Sequence, residues 1–332
     1  MPKVQADGLP LPLRYGAILT IVIGISMAVL DGAIANVALP TIATDLHATP
    51  ASSIWVVNAY QIAIVISLLS FSFLGDMFGY RRIYKCGLVV FLLSSLFCAL
   101  SDSLQMLTLA RVIQGFGGAA LMSVNTALIR LIYPQRFLGR GMGINSFIVA
   151  VSSAAGPTIA AAILSIASWK WLFLINVPLG IIALLLAMRF LPPNGSRASK
   201  PRFDLPSAVM NALTFGLLIT ALSGFAQGQS LTLIGAELVV MVVVGIFFIR
   251  RQLSLPVPLL PVDLLRIPLF SLSICTSVCS LAGGGRGHNS YAERFRLTVN
   301  AESHHAGCFL RFIAGFQALQ RGNHFLATNQ FC

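Results

Sequence analysis

The sequence predicts an all-α membrane protein that crosses the bilayer many times. Apolar residues make up 57% of the 332-residue chain and charged residues only 10%. The apolar residues gather in repeated uncharged runs of about 20, the length a helix needs to cross the hydrocarbon layer. Arg and Lys concentrate in every second gap between the runs, as they do in cytoplasmic loops. A membrane β-barrel would instead show weakly alternating segments of about 10 residues. The net charge of +12 does not point to nucleic acid, because the cations flank apolar spans; no nucleic-acid partner is expected.

Eight spans follow one another. The first, Tyr15–Val37, is a long apolar segment whose one charge is Asp31. It is too long for the apolar region of a signal peptide, and Asp31 interrupts its end, so cleavage after Ala33-Ile34-Ala35 is not expected. The second, Ala51–Leu74, carries the polar residues Asn58, Tyr60 and Gln61. The third, Ile83–Leu100, opens beside Arg81, Arg82 and Lys85. The fourth, Leu104–Leu128, holds one charge, Arg111. The fifth, Met142–Ile166, contains Gly156 and Pro157. The sixth, Trp171–Phe190, lies between Lys170 and the basic stretch that starts at Arg189. Ser207–Phe225 and Leu231–Ile249 are the seventh and eighth, the last carrying Glu237, read as an interface or edge residue, and closing on Arg250 and Arg251.

The basic gaps predict a cytoplasmic N-terminus, with odd-numbered spans running outward. Residues 1–190 then form a six-helix block, 191–206 a cytoplasmic linker rich in Pro, Ser and Arg, and 207–250 two further helices. Residues 251–280 begin another apolar region, in which a ninth span starts near Pro268 and stops at about Ser280. From Leu281 the character changes: residues 281–332 hold four of the five histidines and no membrane-length run. This tail is expected to be disordered or the product of out-of-frame translation. Its histidine spacings fit no usual metal-ligand pattern, and neither a metal nor a cofactor is expected. Cys86, Cys98, Cys275 and Cys279 read as small packing residues, with no histidines beside them to complete a metal set.

Four features carry chemistry. Asp31 is a carboxylate in lipid, where ionisation is costly without partners, so it marks an ion or substrate pathway. Arg111 shares one face of the fourth span with Gly115, Ala119 and Ser123. Small residues at that spacing let helices approach closely, and an Arg among them must find a carboxylate, a carbonyl or water. On the fifth span, Ser152, Gly156 and Ala160 form a similar stripe beside Pro157. Finally, Asp76 stands among bases at the boundary between spans two and three, placed to accept hydrogen bonds from a helix N-terminus or to pair with the arginines.

These stretches resemble a known family. Asp76-x-x-Gly79-x-Arg81-Arg82 is similar to the loop motif of the major facilitator superfamily, and Arg111-Val112-Ile113-Gln114-Gly115-Phe116-Gly117 to its fourth-helix motif. Gly156-Pro157 resembles the fifth-helix motif of its antiporters. Leu30-Asp31-Gly32-Ala33-Ile34-Ala35-Asn36-Val37-Ala38-Leu39-Pro40, together with Trp169–Gly180, resembles the fourteen-helix drug:proton antiporter branch. Departures are local: Ser72 replaces a usual glycine, Met77 a usual base, and Ala160 and Ala161 a common glycine pair.

The resemblance implies a multidrug efflux transporter of the inner membrane, not an enzyme, exchanging protons for small, cationic, lipophilic compounds. It implies that Asp31 and Arg111 couple protons or recognise substrate, that the Gly156-Pro157 helix shapes the interface between halves, and that Asp76, Gly79, Arg81 and Arg82 form a conformational-switch loop. Asn58, Tyr60 and Gln61 are candidates to line the cavity, with interhelical hydrogen bonding as the alternative. The oligomeric state stays open. Such transporters place the substrate site between two halves, and the chain supplies one half, two helices and a stub. A non-transporting fragment is therefore the competing expectation. An intramembrane protease built on Asp31 and Asp76 is disfavoured, because the topology puts these acids on opposite sides of the membrane. An ATP-driven pump is disfavoured because no nucleotide-binding loop is present.

Overall fold

A computed structural model describes residues 8–193, 203–255 and 259, all within the first of two compact units, Met1–Val262. The tail 281–332 and the ninth span expected from about Pro268 lie outside the described residues, as does most of the linker. Within the described residues the structure is helical: α1 (Leu11–Asp45), α2 (Pro50–Ser53), α3 (Trp55–Phe78), α4 (Tyr80–Ala99), α5 (Leu104–Ile132), α6 (Leu138–Leu164), α7 (Lys170–Leu174), α8 (Asn176–Phe190), α9 (Leu205–Ala226) and α10 (Leu231–Ser254), with a 3-10 turn at Gln135–Phe137. Joining α2 to α3, the turn to α6 and α7 to α8 gives eight helices long and apolar enough to cross a membrane.

Helix ends follow local chemistry. Thr49 and Ser103 cap α2 and α5, each hydroxyl accepting a backbone N–H from the first turn. Gly79 both ends α3 and starts α4 at φ +98°, a conformation that side chains rarely adopt. The first helix runs past the expected end at Val37, through Pro40, to Asp45. The sixth span divides at Ile175 into α7 and α8, although the Ile175 backbone stays helical at φ −61° and ψ −25°. Pro178 has no N–H to return to the Leu174 carbonyl, so the ladder is interrupted at this point.

α5 is the most enclosed of the eight membrane-length helices and α10 the least. α5 packs between α3 and α4, while α1 lies against α6 and α8. Close approach depends on the small residues. A Cβ on Gly115 would lie 2.6 Å from Ala63 Cβ and 2.7 Å from the Tyr60 carbonyl oxygen. One on Gly156 would lie 2.5 Å from Ala33 Cβ. The buried residues of α6 are Gly141, Ser152, Gly156 and Ala160, so the small stripe is the face turned to α1, and Ser152 Oγ donates to Ser26 Oγ at 3.1 Å.

The helix pair α9–α10 leans on α3. Asn211 Nδ2 donates to the Ile66 carbonyl at 3.0 Å, and the Phe73 and Phe203 rings lie 5.9 Å apart. Arg251 clamps the entry of α9 by donating through Nε and Nη2 to the two oxygens of Asp204, at 3.0 and 2.9 Å. This hydrogen bonding holds the Asp204 carboxyl below its ordinary range.

Candidate functional site

The buried apolar residues form two clusters. One contains Ala17, Ile21, Tyr84, Leu88, Val124 and Leu128. The other contains Ile34, Ala38, Ile42, Leu107, Trp169 and Phe173. Between them α1, α4, α5 and α8 bring polar side chains to one point. Asp31, Arg111, Gln114, Ser95 and Asn176 are all buried, with Ser95, Arg111 and Gln114 fully so.

Asp31 is the acceptor at the centre. Arg111 Nη1 forms the ion pair and hydrogen bond with Asp31 Oδ2. Gln114 Nε2 and Asn176 Nδ2 each donate to Asp31 Oδ1 at 2.9 Å. The partners are tied to one another: Arg111 Nη1 donates to Gln114 Oε1 at 2.7 Å, and Gln114 Nε2 donates to Ser95 Oγ at 2.8 Å. Cys98 Sγ donates to Gln114 Oε1 at 3.5 Å. Arg111 Nε reaches the Val56 carbonyl at 3.2 Å.

Aromatic rings cover the guanidinium. Its carbon lies 4.0 Å from the Tyr60 ring centre and 5.5 Å from that of Phe173, within the range of cation–π attraction. Tyr60 is anchored by its hydroxyl, which donates to the Ala28 carbonyl at 2.9 Å. A charge in such a place persists only if paired and hydrogen-bonded, and this constellation supplies both. Arg111 Nη2 is the exception, buried with no partner among the described residues.

The sequence-derived residues divide by location. Asp31 and Arg111 meet directly. Tyr60 stacks on their pair. Asn58 instead donates to Ser223 Oγ of α9 at 3.3 Å, and Gln61 is exposed. Gly156 faces α1 while Pro157 is exposed on α6. The switch-loop residues lie at the other end of α3 from Trp55: Tyr80 Oη donates to Asp76 Oδ1, Arg81 Nη2 donates to the Met188 carbonyl, and Arg82 is exposed. Gln114, Asn176 and Ser95 were not singled out from the sequence. Gln114 and Asn176 do fall inside the fourth-helix and Trp169–Gly180 stretches, but nothing in spacing marks them as partners of Asp31.

At the opposite end of the bundle from the switch loop, Trp169 Nε1 donates to Asp45 Oδ2 at 2.9 Å. Lys170 Nζ pairs with Asp102 Oδ1, also at 2.9 Å. The second pair is exposed and contributes little to stability.

The profile described as Major Facilitator Superfamily matches residues 21–315. The transporter YebQ of Escherichia coli (strain K12) is 99% identical over 280 residues, covering 84% of this chain and 61% of that protein. The riboflavin transporter RibZ of Clostridioides difficile (strain 630) is 33% identical over 210 residues, 63% of this chain and 46% of that one. The tetracenomycin C resistance and export protein of Streptomyces glaucescens is 32% identical over 274 residues, 81% of this chain and 49% of that one. The chain thus spans between 46% and 61% of the length of these curated relatives.

Proposed function

Because the chain belongs to the Major Facilitator Superfamily, we propose that in its full-length form it exports small lipophilic, cationic compounds across the inner membrane in exchange for protons. The N-terminus is cytoplasmic in this reading, as the basic gaps indicate. Asp31 is the proton site and Arg111 its counter-ion. The observation that carries the proposal is the buried Asp31 carboxylate, held by one guanidinium and two side-chain amides between two apolar clusters. An ionisable group kept at such cost inside a membrane bundle is the usual mark of a proton or ion pathway.

The cycle uses that site as follows. Open to the outside, Asp31 takes a proton and substrate leaves. Open to the inside, the proton departs and a cationic substrate binds. Exchange of one proton for one monovalent cation moves no net charge, so the pH difference drives it: each unit is worth about 1.4 kcal/mol, a tenfold gradient of substrate. Arg111 compensates the carboxylate when it is empty, and the switch loop at Asp76, Gly79, Arg81 and Arg82 governs the change of state. The Gly156-Pro157 helix forms part of the interface between halves. A relative named for export of tetracenomycin C supports efflux. One named for riboflavin leaves substrate chemistry to be measured.

The test is proton-driven efflux of a cationic dye from vesicles carrying the full-length form. Asp31→Asn should abolish both dye efflux and the proton flux that accompanies it. Undiminished coupled transport in that variant would remove Asp31 from the mechanism.

A further inference from the structure

We propose that Asn176 is a positioning residue that registers the protonation of Asp31. Its amide donates to the carboxylate and turns over to accept from the carboxylic acid, so the start of α8, where Pro178 leaves one backbone rung unmade, feels the proton. This rests on the proposed role of Asp31 as the proton site.

The three donors around Asp31 suit a carboxylate, which only accepts. Once protonated, the same group carries an O–H and needs an acceptor. Arg111 has none to offer. The Gln114 carbonyl is already engaged by Arg111 Nη1 at 2.7 Å and by Cys98 at 3.5 Å, and its nitrogen is also bound to Ser95 at 2.8 Å. Turning that amide would only reverse the bond with the Ser95 hydroxyl, but it would present N–H to guanidinium N–H. The Tyr60 hydroxyl is spent on the Ala28 carbonyl. Asn176 is different: among the described residues its side chain bonds to Asp31 alone, through Nδ2 at 2.9 Å. A half-turn of its amide exchanges donor for acceptor and disturbs no other side-chain bond.

Its place in the backbone gives this turn a consequence. Asn176 is the first residue of α8, directly after Ile175, where Pro178 has removed one rung of the ladder. A change of hydrogen-bond sense there acts on a helix that runs on through Ile175 but lacks one backbone rung.

The charged and titratable surroundings are simple. Arg111 faces Asp31 from α5. Tyr60 on α3 and Cys98 on α4 both belong to the same electrostatic cluster. The charged residues of α6, α7 and α8 are Arg140, Lys170 and Arg189, each at a helix end. The chemical step is one proton added to Asp31 Oδ1 on loading and removed on release; the rest is exchange of hydrogen bonds.

The experiment is pH-induced infrared difference spectroscopy on the purified chain in lipid bilayers. A carboxylic acid band should appear on acidification and vanish in Asp31→Asn. A side-chain amide band should change with it. That amide change should move when asparagine side chains carry carbon-13, stay when glutamine is labelled, vanish in Asn176→Leu and persist in Gln114→Leu. Should Asn176→Leu fail to fold, Asn176→Ser and the labelling of the unaltered chain decide the same point. An acid band with no amide change, or an amide change that follows the glutamine label, would overturn this inference while leaving the proton-site reading intact. Absence of any acid band dependent on Asp31 would overturn both.

Discussion

Arg111 is held by charge, by hydrogen bonds and by ring faces at once, so removing it leaves more than a void. In Arg111→Met the Asp31 carboxylate stays buried without its counter-ion, a change that costs about 3–5 kcal/mol in buried pairs. Asp31→Asn strands the guanidinium in turn. We expect each single variant to lower the unfolding midpoint of the purified chain sharply. The double variant should lose less than the sum of the two, by about 0.5–3 kcal/mol of coupling; strict additivity would mean that the pair is not energetically linked. Asp31 and Arg111 were legible in the sequence because ionisable residues are rare in apolar runs. Gln114, Ser95 and Asn176 were not. Neutral polar residues recur in these spans, as with Asn36, Ser94 and Asn125, and only the folded positions distinguish those that reach Asp31 directly, as Gln114 and Asn176 do, or through Gln114, as Ser95 does.

Among the helices, the small residues do the positioning, and their effects differ by neighbour. Gly156 and Gly143 lie on the same helix, yet a Cβ on Gly156 meets Ala33 at 2.5 Å while one on Gly143 meets nothing within 4 Å. Gly156→Ala should therefore force α1 and α6 apart and destabilise by about 1–3 kcal/mol. Gly143→Ala should be neutral or gain up to about 1 kcal/mol through helix propensity. Thermal melts of the two variants side by side measure the contrast, and equal melting points would show that the α1–α6 seam is not tight. The spans themselves were readable, since length and apolarity set them. Their interruptions and extensions were harder. Trp171–Phe190 reads as one run and does form one membrane-length span, Lys170–Phe190; hydropathy does not register the rung that Pro178 leaves unmade within it. α1 was expected to stop at Val37, yet it continues through a proline that the helix tolerates.

Across the whole molecule, the α9–α10 hairpin is the lightly held part. It rests on α3 through Asn211, Ser223 and Phe203, and α10 packs on α9. Interhelical hydrogen bonds in membranes are worth about 0.6 kcal/mol each, so Asn211→Leu should loosen the hairpin without unfolding the bundle. Faster hydrogen exchange confined to α9 and α10 would show this; spread to α5 would contradict it. The Asp204–Arg251 clamp adds a pH dependence. Because folding lowers the Asp204 pKa, its stabilisation is complete above the ordinary carboxylate value of about 4 and is lost as pH falls through the lowered folded value. Exchange at the start of α9 should rise on strong acidification in the parent chain. In Asp204→Asn it should already be fast at neutral pH and lack that transition.

The polar layer around Asp31 also bears on how the bundle finds its arrangement. Within lipid, apolar helices coated with Leu, Ile and Val can slide past one another with little penalty, because packing against a neighbour or against acyl chains is nearly equivalent. One turn of slippage, about 5.4 Å, would bring Leu107 or Gly115 of α5 opposite Asp31 in place of Arg111. That mismatch would strand a carboxylate against an apolar surface and leave an arginine without its acid. The cluster is thus a depth gauge for insertion: α1, α4, α5 and α8 are correctly seated only when all four present their polar rung at the same level of the bilayer.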